Sequence, residues 1–168
     1  MRWFWVDRFT EFVSGSHAAG VKTVALDAEV LDDYSPAYPC FPATLIIEGI
    51  AQLGGILVAE HFDWDQRVVL AKVGRATFFT VAVPGDRLEY RVRLDGTQSH
   101  GANVTATSHR DGQLQAEIDL MFAFLEPGRF AEGSLFHDGD LARMLRTMKL
   151  FDVGVDRDGN PLAVSEKL

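Results

Sequence analysis

The stretch from Asp33 to Gly55, DYSPAYPCFPATLIIEGIAQLGG, decides the fold. Its first half carries Pro36, Pro39 and Pro42. Proline fixes φ, lacks an N–H and biases the preceding residue toward extended backbone, so this half reads as a loop and not as a helix or central strand. From Pro42, a favourable first-turn residue, the pattern becomes helical. Leu45, Ile46, Ile47, Ile50, Leu53, Ile56, Leu57 and Val58 cover most of the circumference, and a helix apolar on nearly every side has to be enclosed. One acid, Glu48, lies inside it. A buried carboxylate is costly unless it is paired, hydrogen-bonded or used in chemistry, and desolvation would raise its pKa. Gln52 is four residues on and shares its face, which Gly55 and Ala59 extend with small side chains. Such a stripe admits a ligand or another backbone.

Working outward, Trp3–Val13 is rich in aromatics and ends at the turn Ser14-Gly15-Ser16, after which Ala18–Leu26 reads as a returning strand. Beyond the helix the period changes to two. Val68–Phe79, Arg87–Leu94, Ala102–Ser108 and Leu114–Phe124 are predicted strands, separated by Pro84-Gly85-Asp86, Asp95-Gly96 and the hairpin turn Asp111-Gly112-Gln113. Six strands and one long helix predict an α+β fold, an antiparallel sheet wrapped around that helix. In the tail from Pro127, Asp138 or Asp140 is placed to cap a helix that carries Leu141, Met144, Leu145 and Met148 on one face. The expected organisation is a domain over 1–126 and a C-terminal extension over 127–168 with a short helix.

The 168 residues suit one compact unit, and 47% hydrophobic with 24% charged residues is ordinary for a soluble protein. The formal net charge of −8 argues against nucleic acid. An acidic protein partner would need a local basic patch, which Arg67, Lys72, Arg75, Arg87, Arg91 and Arg93 could supply, although a solvated strand face explains them equally. The single cysteine, Cys40, excludes an internal disulfide and reads as a small packed residue. No Cys/His cluster has metal-ligand spacing, so no metal or cofactor is expected. Ala43–Ala59 is about the minimum length for a membrane span, but Glu48, Gln52 and three glycines inside it favour a buried helix. No secretory signal is read at the N-terminus, and a cytoplasmic location is expected.

With Pro36, Pro39, Pro42, Leu45, Glu48, Ala51 and Gln52 in place, the chain resembles the hotdog-fold 3-hydroxyacyl-[acyl-carrier-protein] dehydratases, whose signature is roughly GHFPGxPxxPGxLxxEAxAQ. Val6-Asp7-Arg8, Ala71–Phe78 and Pro84-Gly85-Asp86 resemble flanking blocks of that family, and the likeness covers about 4–125. It implies a homodimer or a trimer of dimers, with acyl carrier protein or coenzyme A thioesters as partners and the acyl site at the subunit interface. In the family a loop histidine removes the α-proton of a 3-hydroxyacyl thioester, an acid on the helix protonates the departing hydroxyl, and helix-start amides polarise the thioester carbonyl.

Carried over by position, the resemblance assigns the acid to Glu48, the helix-start donors to Ala43 and Thr44, and a substrate-binding place to Gln52. The histidine position holds Tyr34, and Ser35, Ala37 and Ala43 replace the phenylalanine and glycines of the pattern. A phenol with pKa ~10 is a poor base at neutral pH, where an imidazole at ~6.5 is well placed. Asp32, Asp33, His17 and His61 are the other candidate bases, with solvated turn or helix-end roles as their plainer explanations. The readings left open are a dehydratase-like lyase, a catalytically impaired acyl-thioester-binding or scaffold homologue, and a hotdog thioesterase in which Glu48 would activate water.

Overall fold

The computed structural model describes residues 4–27, 38–126 and 139–168. Strands β1 (Arg8–Val13) and β2 (His17–Thr23) precede helix α1 (Ala43–His61). Strands β3 (Val68–Phe78), β4 (Arg87–Gln98), β5 (Gly101–Arg110) and β6 (Gln113–Phe124) follow it. The tail adds α2 (Asp140–Thr147), α3 (Leu150–Val153) and the two-residue strand β7 (Gly154–Val155). The described strands form one sheet in the order β3-β6-β5-β4-β2-β1-β7, antiparallel except where β7 runs parallel to β1. Helix α1 lies on one face of it, and the arrangement is the hotdog fold.

The turns follow from local chemistry. Arg110 pairs with Gln113 across Asp111 and Gly112, both at positive φ (51° and 76°), which is the two-residue turn whose twist matches the flanking strands. Asp95-Gly96 is not the expected turn. It lies within β4 as a register shift between Leu94 and Gly96, and β4 continues to Gln98 before turning into Gly101. Aspartate and glycine mark a bulge as readily as a reversal.

The tail also departs from expectation. The N-cap of α2 is Gly139, at φ 76°, with no side-chain cap bond; Asp140 sits in the first turn and accepts from Arg143 Nη1 at 3.1 Å. Asp138 lies outside the described residues. The stripe docks as its apolarity requires: Met144, Leu145 and Met148 are buried, and the Phe9 N–H donates to the Met148 carbonyl at 2.8 Å. Strand β7, a seventh strand where six were expected, is held by the Ser14 N–H bonding the Val155 carbonyl at 2.9 Å.

Helix α1 buries Ile46, Ile50, Leu53, Leu57 and Val58 against Tyr90, Val92, Val104, Ile118 and Leu120 of the sheet. Two glycines permit the approach. A Cβ on Gly54 would stand 3.3 Å from Phe122 and Val104. One on Gly49 would stand 2.6 Å from the Trp5 carbonyl oxygen and 2.8 Å from the Tyr90 ring. Gly49→Ala should therefore lower stability by about 1–2 kcal/mol in spite of alanine's better helix propensity, because backbone has to move to admit the methyl. A fall in urea midpoint at unchanged slope would register it.

Candidate active site

The helix arrives at the site through a pinned entry. The Phe41 N–H donates to the Ala82 carbonyl at 2.7 Å, and the Phe41 ring packs 5.8 Å from that of Trp5. Pro42 is the N-cap, one residue earlier than a first-turn position, and its carbonyl accepts from Leu45 at 2.9 Å and Ile46 at 3.3 Å. Ala43 and Thr44 are the first two helical residues, and no side-chain cap bond is made at the helix start among the described residues. Amides of a first turn have no intrahelical carbonyl to reach and sit at the positive end of the helix dipole. Thr44, Glu48 and Gln52, at intervals of four, share a face.

Glu48 and Gln52 are brought together as the spacing predicts. The Gln52 Nε2 donates to Glu48 Oε1 at 3.0 Å, while Gln52 Oε1 accepts from the Trp5 N–H at 2.8 Å. The Trp5 amide thereby sets which way the Gln52 carboxamide faces and aims its NH2 group at the acid. Trp5 was not singled out in the sequence, because nothing local marks a residue that contacts the helix through its backbone. The expectation that this chain buries Glu48 fails: Glu48 is exposed. The described residues of a single chain leave this carboxylate facing solvent.

Beside the pair opens a cavity of about 420 Å³, within the range of small-molecule sites. Glu48 and Gln52 stand on its lining, and Gly55 and Ala59 form a low wall along α1. Val68 and Leu70 of β3 and Phe122 of β6 supply apolar surface opposite, with Trp64 and Arg67 near the end of the helix. The small-residue stripe thus serves the cavity. The tail contributes too, through Leu141, Met144, Lys167 and Leu168, a contribution no sequence spacing announces.

The remaining candidates lie elsewhere. Tyr34, Asp32, Asp33, Ser35 and Ala37 fall outside the described residues. His17 shares a hydrogen bond with Ser16 Oγ at 2.9 Å, and its Nε2 lies 3.2 Å from Glu11 Oε1, in a broad groove on the outer sheet face. At about 550 Å³ that groove is larger than the cavity beside Glu48, and no residue of the helix lines it. Arg75, Arg91 and Arg93 of the candidate basic patch are there paired with Asp119, Glu89 and Asp95. Among the described residues no group of three His, Cys, Asp or Glu side chains could hold a metal. Helix α1 is long and apolar enough to cross a membrane by length and composition, and it serves here as the core helix.

His61 closes the far end of α1. Arg157 Nη2 donates to its Nδ1 at 2.8 Å, and burial, with the Arg157 charge second, holds its pKa below the usual histidine value. Next to it burial pushes the Glu60 carboxyl up, against the opposing pull of the Ser14 hydroxyl and Arg157. Neither residue joins Glu48.

The FabA-like domain model matches residues 3–119 of this chain. The chain belongs to the FabA-like family. The chain is similar to the 3-hydroxyacyl-[acyl-carrier-protein] dehydratase FabZ of Bacillus velezensis at 34% identity over 125 residues, 72% of this chain and 86% of the relative. The FabZ of Sulfurovum sp. is 31% identical over 122 residues, 68% and 82% of the two chains. Among solved structures, the dehydratase heterocomplex ApeI:P from Xenorhabdus doucetiae superposes with TM-score 0.62 at 17% identity, covering 74% of this chain and 85% of that one. The smu.793 protein of Streptococcus mutans, bound to acetyl CoA, gives 0.59 at 17% identity over 74% and 93%. At such identities these two share the fold.

The Glu60 environment gives a signed pH test. A carboxyl whose folded pKa is raised is destabilising once ionised, so its cost is absent below the ordinary glutamate pKa of ~4.3 and complete above the folded value. Glu60→Gln should raise the melting temperature at pH 8, and the gain should disappear as the pH falls below about 4.

Proposed function

We propose that this FabA-like chain is a 3-hydroxyacyl-thioester dehydratase-like protein of fatty-acid or related lipid or polyketide synthesis, acting on or binding acyl thioesters of acyl carrier protein or coenzyme A. One observation carries the reading: Glu48, oriented by Gln52 and through it by the Trp5 amide, stands on the lining of an apolar cavity that follows the small-residue face of α1. In a chain of this family, that supports Glu48 as the acid meeting the 3-hydroxyl of a bound acyl group, with the acyl chain running along Gly55 and Ala59.

The chemistry divides between the two ends of the α1 face. Elimination transfers the α-proton to a base, forms the Cα=Cβ double bond and breaks the Cβ–O bond. Glu48, protonated, gives its proton to the departing oxygen, which leaves as water. The first-turn amides of Ala43 and Thr44 donate to the thioester carbonyl, whose oxygen gains charge as the α-proton leaves. The base position of the family is held by Tyr34, and a phenol with an ordinary pKa of ~10 is a poor base, so wild-type dehydration should be weak. Glu48 is exposed in the single chain, and a second subunit would cover it. The outer edge of β3, exposed from Leu70 to Ala76, is a row of backbone groups available for strand pairing between two copies. We assign the hotdog domain to 1–126, the extension to 127–168 and the location to the cytoplasm.

The test is a turnover assay with 3-hydroxyacyl and 2-enoyl thioesters, run beside sedimentation. Wild type should sediment as a dimer and dehydrate weakly. Tyr34→His should raise the rate at least about tenfold, since imidazole restores a base near the working pH. Adding Glu48→Gln should abolish that gain. Release of free thiol would instead indicate a thioesterase, and binding without turnover in both forms a scaffold.

A further inference from the structure

The cavity beside Glu48 is built from two sources. The wall along α1 and the β3–β6 surface lie within or beside the family-matched 3–119, whereas Leu141, Met144, Lys167 and Leu168 lie well beyond it. Met144 is buried at 4% exposure, and Leu141 and Leu168 pack against the core cluster. The segment is tied down at the foot of α1. Asp63 and Trp64 there take left-handed backbone, at φ 50° and 64°. Asp63 Oδ1 accepts from Ser165 Oγ at 3.0 Å, and Lys167 Nζ lies 2.6 Å from Asp63 Oδ2 and 2.8 Å from Asp65 Oδ1. These contacts, with the Leu168 N–H bonding the Ser165 carbonyl at 3.3 Å, hold Leu168 over the cavity on the side of Trp64.

We propose that the extension supplies the far wall of the acyl cavity, and that Met144 and Leu168, the latter held in place by the Lys167 clamp, set the length of acyl chain the protein accepts. From Glu48 to Ala59 the helix rises about 16 Å, which is the run available to the chain before it meets Trp64 and Leu168. Each methylene that enters apolar surroundings strengthens binding about fourfold until it reaches this wall, and further methylenes gain nothing or clash.

The inference rests on the acyl-thioester reading, and the experiment separates the two. Dissociation constants are measured by calorimetry for saturated acyl-coenzyme A esters from butyryl to palmitoyl, on the full chain. Wild type should show affinity rising with length to a turning point. Met144→Ala and Leu168→Ala should each move that point toward longer chains by about two methylenes, and Met144→Phe should move it toward shorter ones. Lys167→Ala, a partly exposed change that leaves the core untouched, should strengthen binding of the longest esters relative to the shortest. Its unchanged length profile would overturn the proposal even if a Met144 variant failed to fold. Length-dependent wild-type binding with an unmoved turning point in all variants would overturn the role of the extension alone. Absence of any length-dependent binding would overturn the acyl reading and this inference with it.

Discussion

The approach of α1 to its neighbours at Gly49 is the constraint from which the site follows. With no side chain there, the helix backbone meets the Trp5 carbonyl and the Tyr90 ring at contact distance. That contact brings the Trp5 amide within reach of Gln52, one turn further along. It also fixes the rotation of the helix. The branched residues at 46, 50, 53 and 57 enter the core, and the face bearing Glu48, Gln52, Gly55 and Ala59 is left as the lining of a cavity.

Orientation and desolvation of the acid are separated in this molecule. Its orientation is intramolecular: two hydrogen bonds determine where the carboxyl sits. Its burial is not: Glu48 is exposed in the single chain. In the dimer proposed above, the carboxyl would lose water only when the second subunit covers it.

The helix and the hairpin at Asp111-Gly112 were legible because their signals are local: apolar periodicity over nineteen residues, and two positive-φ positions between strands. Asp95-Gly96 misled because a bulge and a turn call for the same residues. The helix cap in the tail misled because a glycine in left-handed conformation took the place of an acidic side chain. Strand β7 has two residues and no pattern to detect. At the site, the four-residue spacing of Glu48 and Gln52 was enough to join them. Trp5 acts through its amide, and Leu141, Met144 and Leu168 arrive from a region roughly a hundred residues away in sequence, where periodicity carries no information.

The pairing of β1 with β7 bears on the order in which the molecule assembles. Phe12 lies beside Gly154 and Val13 beside Val155, so this ladder closes a loop of about 140 residues, among the most non-local contacts a chain this size can make. On the ribosome, β1 leaves the tunnel early and can pair at once with β2, yet its other edge stays bare until the tail emerges. The most persistent sticky edge during synthesis therefore belongs to the first strand. The shortest strand in the sheet, with the helices that precede it, acts as the late cover that retires this edge from competition with other chains.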